Sequence, residues 1–443
     1  MAYTPHTHEQ EAEILASLGV SSVSELFEQQ IPEALRLNRP LHAPPGMSEE
    51  ELRRHFSELA SLNTPASKQA CFLGAGIYDH IVPSVIPTII LRGEFHTAYT
   101  PYQPEMSQGT LQAIFEFQTM ISALTGLDVA NASMYDGATA LAEAVILACG
   151  VTNRDVALLC GVHPAWVEVT RTYVEGLGIR LEVAPPAVAV DADWLSTHLT
   201  SEAAVVAVQQ PSFLGGVEDL KTLADAAHGN GSLFVVGANP IALGLLEAPG
   251  TLGADIVVGE GQPLGLGMNF GGPLVGFFAA RQKFLRQMPG RLVSTTRDRQ
   301  GRTGYVLTLQ TREQHIRRER ATSNICTNQG LMMLAATIYL SILGKNGLRA
   351  VAEQCLSRAH YLSRALSAVP SYRLRFGTQF FHEFVLECPE SAEAVASRLA
   401  AHGILAGYPL GRDYPELSNC LLIAVTEKRT REEMDRFAEV LAG

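Results

Sequence analysis

Two stretches of the chain carry the side chains best suited to chemistry. The first, His96 to Gly109 (HTAYTPYQPEMSQG), presents Tyr99, Tyr102, Gln103, Glu105, Ser107 and Gln108 around Pro101 and Pro104. Prolines fix φ and deny the loop a regular element, so these groups are displayed on a stiff, irregular backbone. The second, Asn131 to Thr139 (NASMYDGAT), carries Tyr135 and Asp136 and opens an Ala-rich run. Gly137, Ala138 and Thr139 would leave backbone N–H groups exposed at a helix start, a natural place for a phosphate or carboxylate. Small residues there make an ordinary helix cap equally well.

The elements that hold these loops follow from periodicity. Between the loops, Leu111, Ile114, Phe115, Phe117, Ile121 and Leu124 recur close to the helical period, and Gly126 ends that helix. After Gly150 the pattern alternates. Apolar strands at DVALLC, IRLEVAP, AVVAVQQP, SLFVVGANP, GADIVVGEG and LVGFFAAR are separated by helices, among them 164–175, 193–199 and 220–228. That spacing predicts an α/β fold with a mostly parallel, doubly wound sheet, whose ligands sit beyond the strand ends QQPS, GANP and GEGQ. Upstream, residues 1–66 read as short helices with capping boxes at Thr7–Gln10, Ser22–Glu25 and Ser48–Glu51, an arm lying over a neighbour. Downstream, a long apolar helix from Asn328, strands at YRLRF, FFHEFVLEC and NCLLIAVTE, and helices at 391–402 and 430–441 make a smaller α+β C-terminal domain. The expected boundaries are 1–66, 67–325 and 326–443.

The motifs TAYTPYQPEMSQG, FEFQT and ANASMYDGATA closely resemble the glycine decarboxylase (P-protein) family of the glycine cleavage system, specifically the first subunit of its two-subunit form. The resemblance runs in diluted form from ELFEQQIPE to ATSNICTNQG and beyond. Large parallel domain, small C-terminal domain and N-terminal arm together match the aspartate-aminotransferase-like architecture (fold type I) of pyridoxal-phosphate (PLP) enzymes.

Composition narrows the function classes. The 443 residues carry a net charge of −12 with no basic block, which argues against nucleic acid or an anionic membrane as partner. Seven scattered cysteines without a CxxC argue for a reducing compartment and against a structural metal site or disulfide framework. The N-terminal MAYTPHTHEQEAEILASLG shows no basic flank or apolar core of a signal peptide, and Leu331–Leu343 is too short and broken to span a bilayer. A cytoplasmic location is the expectation.

A fold type I PLP enzyme needs a lysine for the cofactor and an acid beside the pyridinium nitrogen. The matching stretches, FVVGANPIALG and GADIVVGEGQPLG, hold Asn239, Glu260, Gln262 and Pro263, with no lysine in either and no acid in the first. The chain's five lysines (Lys68, Lys221, Lys283, Lys345 and Lys428) all lie elsewhere. A PLP-fold subunit that cannot bind PLP covalently is therefore expected. The resemblance implies that PLP sits on a second subunit and that the pair decarboxylates glycine. It further implies transfer of the aminomethyl group to the lipoyl arm of H-protein, within an α2β2 assembly. In that setting Tyr99, Tyr102, Gln103, Glu105, Ser107 and Tyr135 would reach across the interface. Asp136, Gly137, Ala138 and Thr139 would be a vestigial phosphate cradle, and His163 would cap or pack. The tyrosines as interface packing only, or the whole chain as a structural or regulatory partner, are the competing readings. A self-sufficient enzyme such as a cysteine desulfurase or aminotransferase conflicts with the missing lysine.

Three further motifs have two readings each. GAGIYDH (74–80) is a substrate-facing turn or a tight turn capped by Asp79. GLGMNFGG (265–272) is neither a P-loop nor a dinucleotide fingerprint, and reads as a turn permitting close backbone approach. Arg312, Arg317, Arg318 and Arg320 on one helix would hold a substrate carboxylate or form a solvated surface.

Overall fold

The computed structural model describes residues 5–37, 39–96 and 98–443, and the chain divides into two units, residues 1–64 and 65–443. Residues 1–4 and Thr97, part of the N-terminal stretch and of the tyrosine loop read above, lie outside the described residues. The first unit consists of helices His8–Ser17, Val23–Gln30 and Glu49–Ser61, none of which buries a residue. Thr7 and Ser48 form complete capping boxes. At Ser22 only half the box forms. Its hydroxyl accepts from Glu25 N at 3.2 Å, but the Glu25 carboxylate accepts from Ser21 N at 2.8 Å.

In the second unit, seven strands form one sheet: β1 (Val129–Ala130), β2 (Val156–Cys160), β3 (Arg180–Val183), β4 (Ala203–Gln210), β5 (Leu233–Ala238), β6 (Ile256–Glu260) and β7 (Gly276–Ala280). Their order is β1-β7-β6-β5-β4-β2-β3. β3, β2, β4, β5 and β6 run parallel, while β7 is antiparallel to both β6 and β1. The central strands are apolar throughout because helices cover both faces, leaving no polar side to alternate with. One face packs with Phe117, Ile121 and Val206, the other with Leu141, Val145 and Val205.

The helix Gln108–Thr125 ends at Gly126, whose φ of +69° provides the left-handed C-cap that glycine adopts without strain. Its neighbour in packing is Gly330–Ser367, broken at Gly344 (φ +55°, ψ −171°). By length and composition this 38-residue helix could cross a membrane, yet Met333, Ala335, Ala336 and Tyr339 are buried in the protein core. A four-stranded antiparallel sheet (Arg373–Leu374, Glu383–Glu387, Tyr408–Pro409 and Cys420–Ala424) with helices Ala392–Ala401 and Arg431–Ala442 forms the C-terminal part.

Lys283 stands in a single 3-10 turn, Gln282–Phe284. One expectation needs correction. The arginine-rich segment is not one helix: Leu309 and Arg318 have φ of +52° and +54°, which break it into short turns around the helix Gln314–Arg317. Ahead of it lies an unanticipated hairpin, Leu292–Arg297 paired with Thr303–Thr308. Its alternating β-branched residues were masked by the surrounding charge.

Candidate functional site

The carboxyl ends of β2, β4, β5 and β6 converge, together with the start of the helix Gly137–Thr152, on one place in the large unit. In an open parallel sheet this is where a ligand is expected. Here the chain fills it with its own side chains. Trp166 packs against Gly137 and Gly237, and a Cβ on Gly137 would collide with the indole and come within 2.8 Å of Glu260 N. Glu260 sits at the end of β6 and turns its carboxylate onto the helix start. It accepts from Gly137 N at 3.0 Å, from Gln262 N at 2.9 Å and from Val275 N at 3.3 Å. A carboxylate at a helix N-terminus satisfies free N–H groups as a phosphate would. Burial raises the Glu260 pKa to about 8, while those amides pull it down.

The flanking groups are equally committed. Asp136 Oδ1 accepts from Thr139 N at 2.7 Å, and the Thr139 hydroxyl returns a contact to Asp136 N at 3.3 Å, completing a capping box. His163 Nδ1 caps the helix Pro164–Val174 by accepting from Ala165 N at 3.0 Å, and its Nε2 lies 2.8 Å from the Ala75 carbonyl. This cap leaves Nε2 as the protonated nitrogen, and burial lowers the imidazole pKa. Gln262 exchanges hydrogen bonds with the backbone of Tyr78 at 3.0 and 2.9 Å, whose hydroxyl in turn donates to Glu383 at 2.7 Å. About 30 Å³ of space remains, room for water and for nothing the size of a pyridine ring. With no lysine on β6 or its following turn, these residues do not fit a pyridoxal phosphate.

A second, open site begins two residues before Gly137. Tyr135 lines a groove of about 700 Å³ together with Phe95, Tyr99, Pro101, Ile114 and Cys326. Tyr99 is 84% exposed. The tyrosine loop is fastened at three points. Gln108 bridges Pro104 O and both backbone groups of Tyr305 at 2.8–2.9 Å, Thr100 meets Thr327 at 3.3 Å, and Tyr102 rests on Arg291 at 2.7 Å. The opposite wall is tied to the second loop, since Cys326 N donates to Tyr135 Oη at 3.1 Å and Gln329 N to Ser133 Oγ at 3.0 Å.

Among the residues singled out from sequence, Tyr99 and Tyr135 thus share one groove, with Tyr102 half-exposed beside it. Gln103 and Glu105 are exposed on the loop, and Ser107 is the residue that starts the helix Gln108–Thr125. Arg312 serves neither role expected of it: it is buried and donates to the carbonyls of Met288, Gly290 and Leu309. Arg317, Arg318 and Arg320 are exposed. Asp79 caps no turn N–H among the described residues; its carboxylate accepts from Lys428 Nζ at 2.7 Å and Arg429 Nη2 at 3.0 Å. Sequence reasoning missed Trp166, Arg291 and Glu313. The signal for the first was one of only two tryptophans standing three residues after His163.

The family model for the glycine cleavage system P-protein matches residues 1–441. The chain belongs to the P-protein family. It is 52% identical to a probable glycine dehydrogenase (decarboxylating) subunit 1 of Carboxydothermus hydrogenoformans and 51% identical to that of Desulforamulus reducens, over 100% of both chains in each case. A crystal structure of a glycine decarboxylase (P-protein) of the glycine cleavage system, in inhibitor-bound form, superposes with a TM-score of 0.92 at 47% identity, covering 100% of this chain and 99% of that one. A NifS-like protein shares the fold at a TM-score of 0.62 and 12% identity, over 84% of this chain and 98% of the other. The architecture is that of PLP-dependent fold type I enzymes, as expected from the alternating pattern of strands and helices.

Proposed function

We propose that this P-protein family chain is subunit 1 of a glycine dehydrogenase (aminomethyl-transferring, decarboxylating) and acts with a second subunit that bears the lysine and PLP. The observation that carries this reading is the self-filled place at the strand ends, in a chain that matches the family over its length. A subunit with Trp166 and Glu260 where a cofactor would lie contributes from its surface. That surface is the groove with Tyr99 and Tyr135, and Tyr102 beside it.

In the proposed assembly, an α2β2 complex in the cytoplasm, these phenols hydrogen-bond and orient groups presented by the partner. The groove wall keeps water from glycine as it loses CO₂. The aminomethyl group then leaves on the lipoyl arm of an H-protein. Leu52, Phe56 and Leu59 on the helix Glu49–Ser61 are 44%, 59% and 45% exposed, which supports an arm covering a neighbouring chain. A continuous apolar face of this kind is normally buried against a partner.

The test is to add PLP to the purified chain and treat it with borohydride, alone and mixed with the lysine-bearing subunit. Alone, the chain should show no visible cofactor band and no trapped adduct, and the mixture should trap PLP on the partner. An adduct on any lysine of this chain would sink the proposal.

A further inference from the structure

Arg291 is buried beneath Tyr102 in an arrangement that stability alone does not account for. Its Nη2 donates to the Tyr102 hydroxyl at 2.7 Å, and its guanidinium carbon lies 5.1 Å from the centre of the same ring. One planar fork therefore fixes the phenol at both its oxygen and its face. Arg291 is 2% exposed, and its Nε and Nη1 have no hydrogen-bond partner among the described residues. Glu313, itself buried, supplies a counter-charge 3.5 Å from Nε. His315 stands 3.6 Å from the same carboxylate oxygen and edge-on to Tyr102, with ring centres 6.0 Å apart.

The arginine's own backbone is clamped. Its carbonyl accepts from Ala132 N at 2.9 Å, and the preceding Gly290 carbonyl accepts from Arg312 Nη2 at 2.9 Å. A half-satisfied buried cation destabilises a fold relative to an apolar residue of the same volume. What the arginine adds is direction, because Tyr102 follows Pro101 of the groove wall and is 50% exposed with no core to hold it. We infer that Arg291 is a positioning residue, which sets the place and tilt of the Tyr102 phenol for the assembled enzyme, with Glu313 holding Arg291 in turn. This rests on the reading that Tyr102 works in that enzyme.

The experiment uses the complex of the full chain with its PLP-bearing partner, carrying Tyr102→Phe, Arg291→Lys or both. Each single change should lower kcat for glycine decarboxylation by about tenfold, a modest loss for a misplaced polar group. KM and assembly should be unchanged. The double variant should be no slower than the worse single, since both remove one unit. A normal kcat for Tyr102→Phe removes the Tyr102 reading itself. A slow Tyr102→Phe beside a normal Arg291→Lys, or additive losses, overturns the positioning role while leaving Tyr102 its part.

If Arg291→Lys does not assemble, Glu313→Gln replaces it, read by ¹⁹F resonances of 3-fluorotyrosine in the complex. The Tyr102 resonance should shift or broaden and the Tyr99 resonance should not. An unchanged Tyr102 resonance overturns the inference.

Discussion

At the carboxyl ends of β4, β5 and β6 the protein packs its own space shut, whereas beside the tyrosine loop it leaves a groove of about 700 Å³ open. The places are two positions apart in the chain, since Tyr135 lines the groove and Gly137 lies under the indole of Trp166. In the closed place the polar groups at the helix start pair within the same chain: Glu260 on Gly137 N, Asp136 on Thr139 N, His163 on Ala165 N. At the open site a tyrosine with 84% of its surface exposed stands on a stiffened loop. Polar groups already paired within a buried site have little left to offer a ligand. Under the proposed function, this chain keeps the fold of a cofactor enzyme as scaffold and carries its working groups at the edge.

The largest way to break that contrast is to reopen the closed place. Trp166→Ala should cost about 4 kcal/mol, from lost burial plus the cavity left among Gly137, Gly237 and Glu260. Gly137→Ala approaches the same contact from the other side by forcing a methyl into the indole, at about 1–3 kcal/mol. Because the two share one space, the double variant should lose less than the sum. Urea denaturation of the three variants checks both statements. A Trp166→Ala loss below about 1 kcal/mol would mean the indole is not what fills the site.

Much of this was legible in the sequence because the strongest signals are periodic. Leu111 to Leu124 gave a helix now seen at Gln108–Thr125, and Gly126 its end. The six apolar runs gave six of the seven strands of the sheet within a few residues each, and the two-residue strand Val129–Ala130 was missed. What failed had a common cause. The hairpin at Leu292–Arg297 and Thr303–Thr308 lies in a segment whose charge hides its alternation. The arginines that follow do not share a helix, because positive φ at Leu309 and Arg318 is not announced by either residue type. For the candidate site, the missing lysine was readable from residue types alone. That Glu260 takes the helix start and Arg291 the Tyr102 hydroxyl was not, since each pairs residues more than a hundred positions apart in chain order.

A second test concerns the helix that starts at the closed place. Glu143 on Gly137–Thr152 is buried and accepts a hydrogen bond from Ser323 Oγ at 2.9 Å, three residues before Cys326 of the groove wall. Burial raises its pKa from 4.5 to about 7. The folded state thus holds this proton more tightly than the unfolded chain does. The stability it contributes is fully present below the unfolded value of 4.5 and is lost as pH rises through about 7. The full span corresponds to about 3 kcal/mol. Glu143→Gln keeps the acceptor for Ser323 and removes the titration. Its stability, measured by urea midpoints from about pH 5 to pH 8, should fall less steeply than that of the unaltered chain by that amount. Equal slopes would show that Glu143 titrates in the folded chain as it does in the unfolded one.

The smallest expected effect sharpens the comparison most. Tyr99 has 84% of its surface exposed, so Tyr99→Ala should change the stability of the isolated chain by no more than about 0.5 kcal/mol. In the assembled complex the same change should slow glycine decarboxylation about tenfold, worth roughly 1.4 kcal/mol of barrier. Co-purification with the partner subunit should be unaffected, and the two measurements together separate the readings. Intact assembly with slow turnover places the phenol in the reaction. Intact assembly with normal turnover leaves the loop without a chemical part and favours a chain that only supports its partner. Lost assembly makes Tyr99 an interface anchor, of the kind an exposed aromatic becomes when its pocket lies on another chain. Trp166→Ala runs the other way, losing stability while the rate per folded complex stays near normal. A residue that moves rate without stability, beside one that moves stability without rate, is what a scaffold with its working groups at the rim requires.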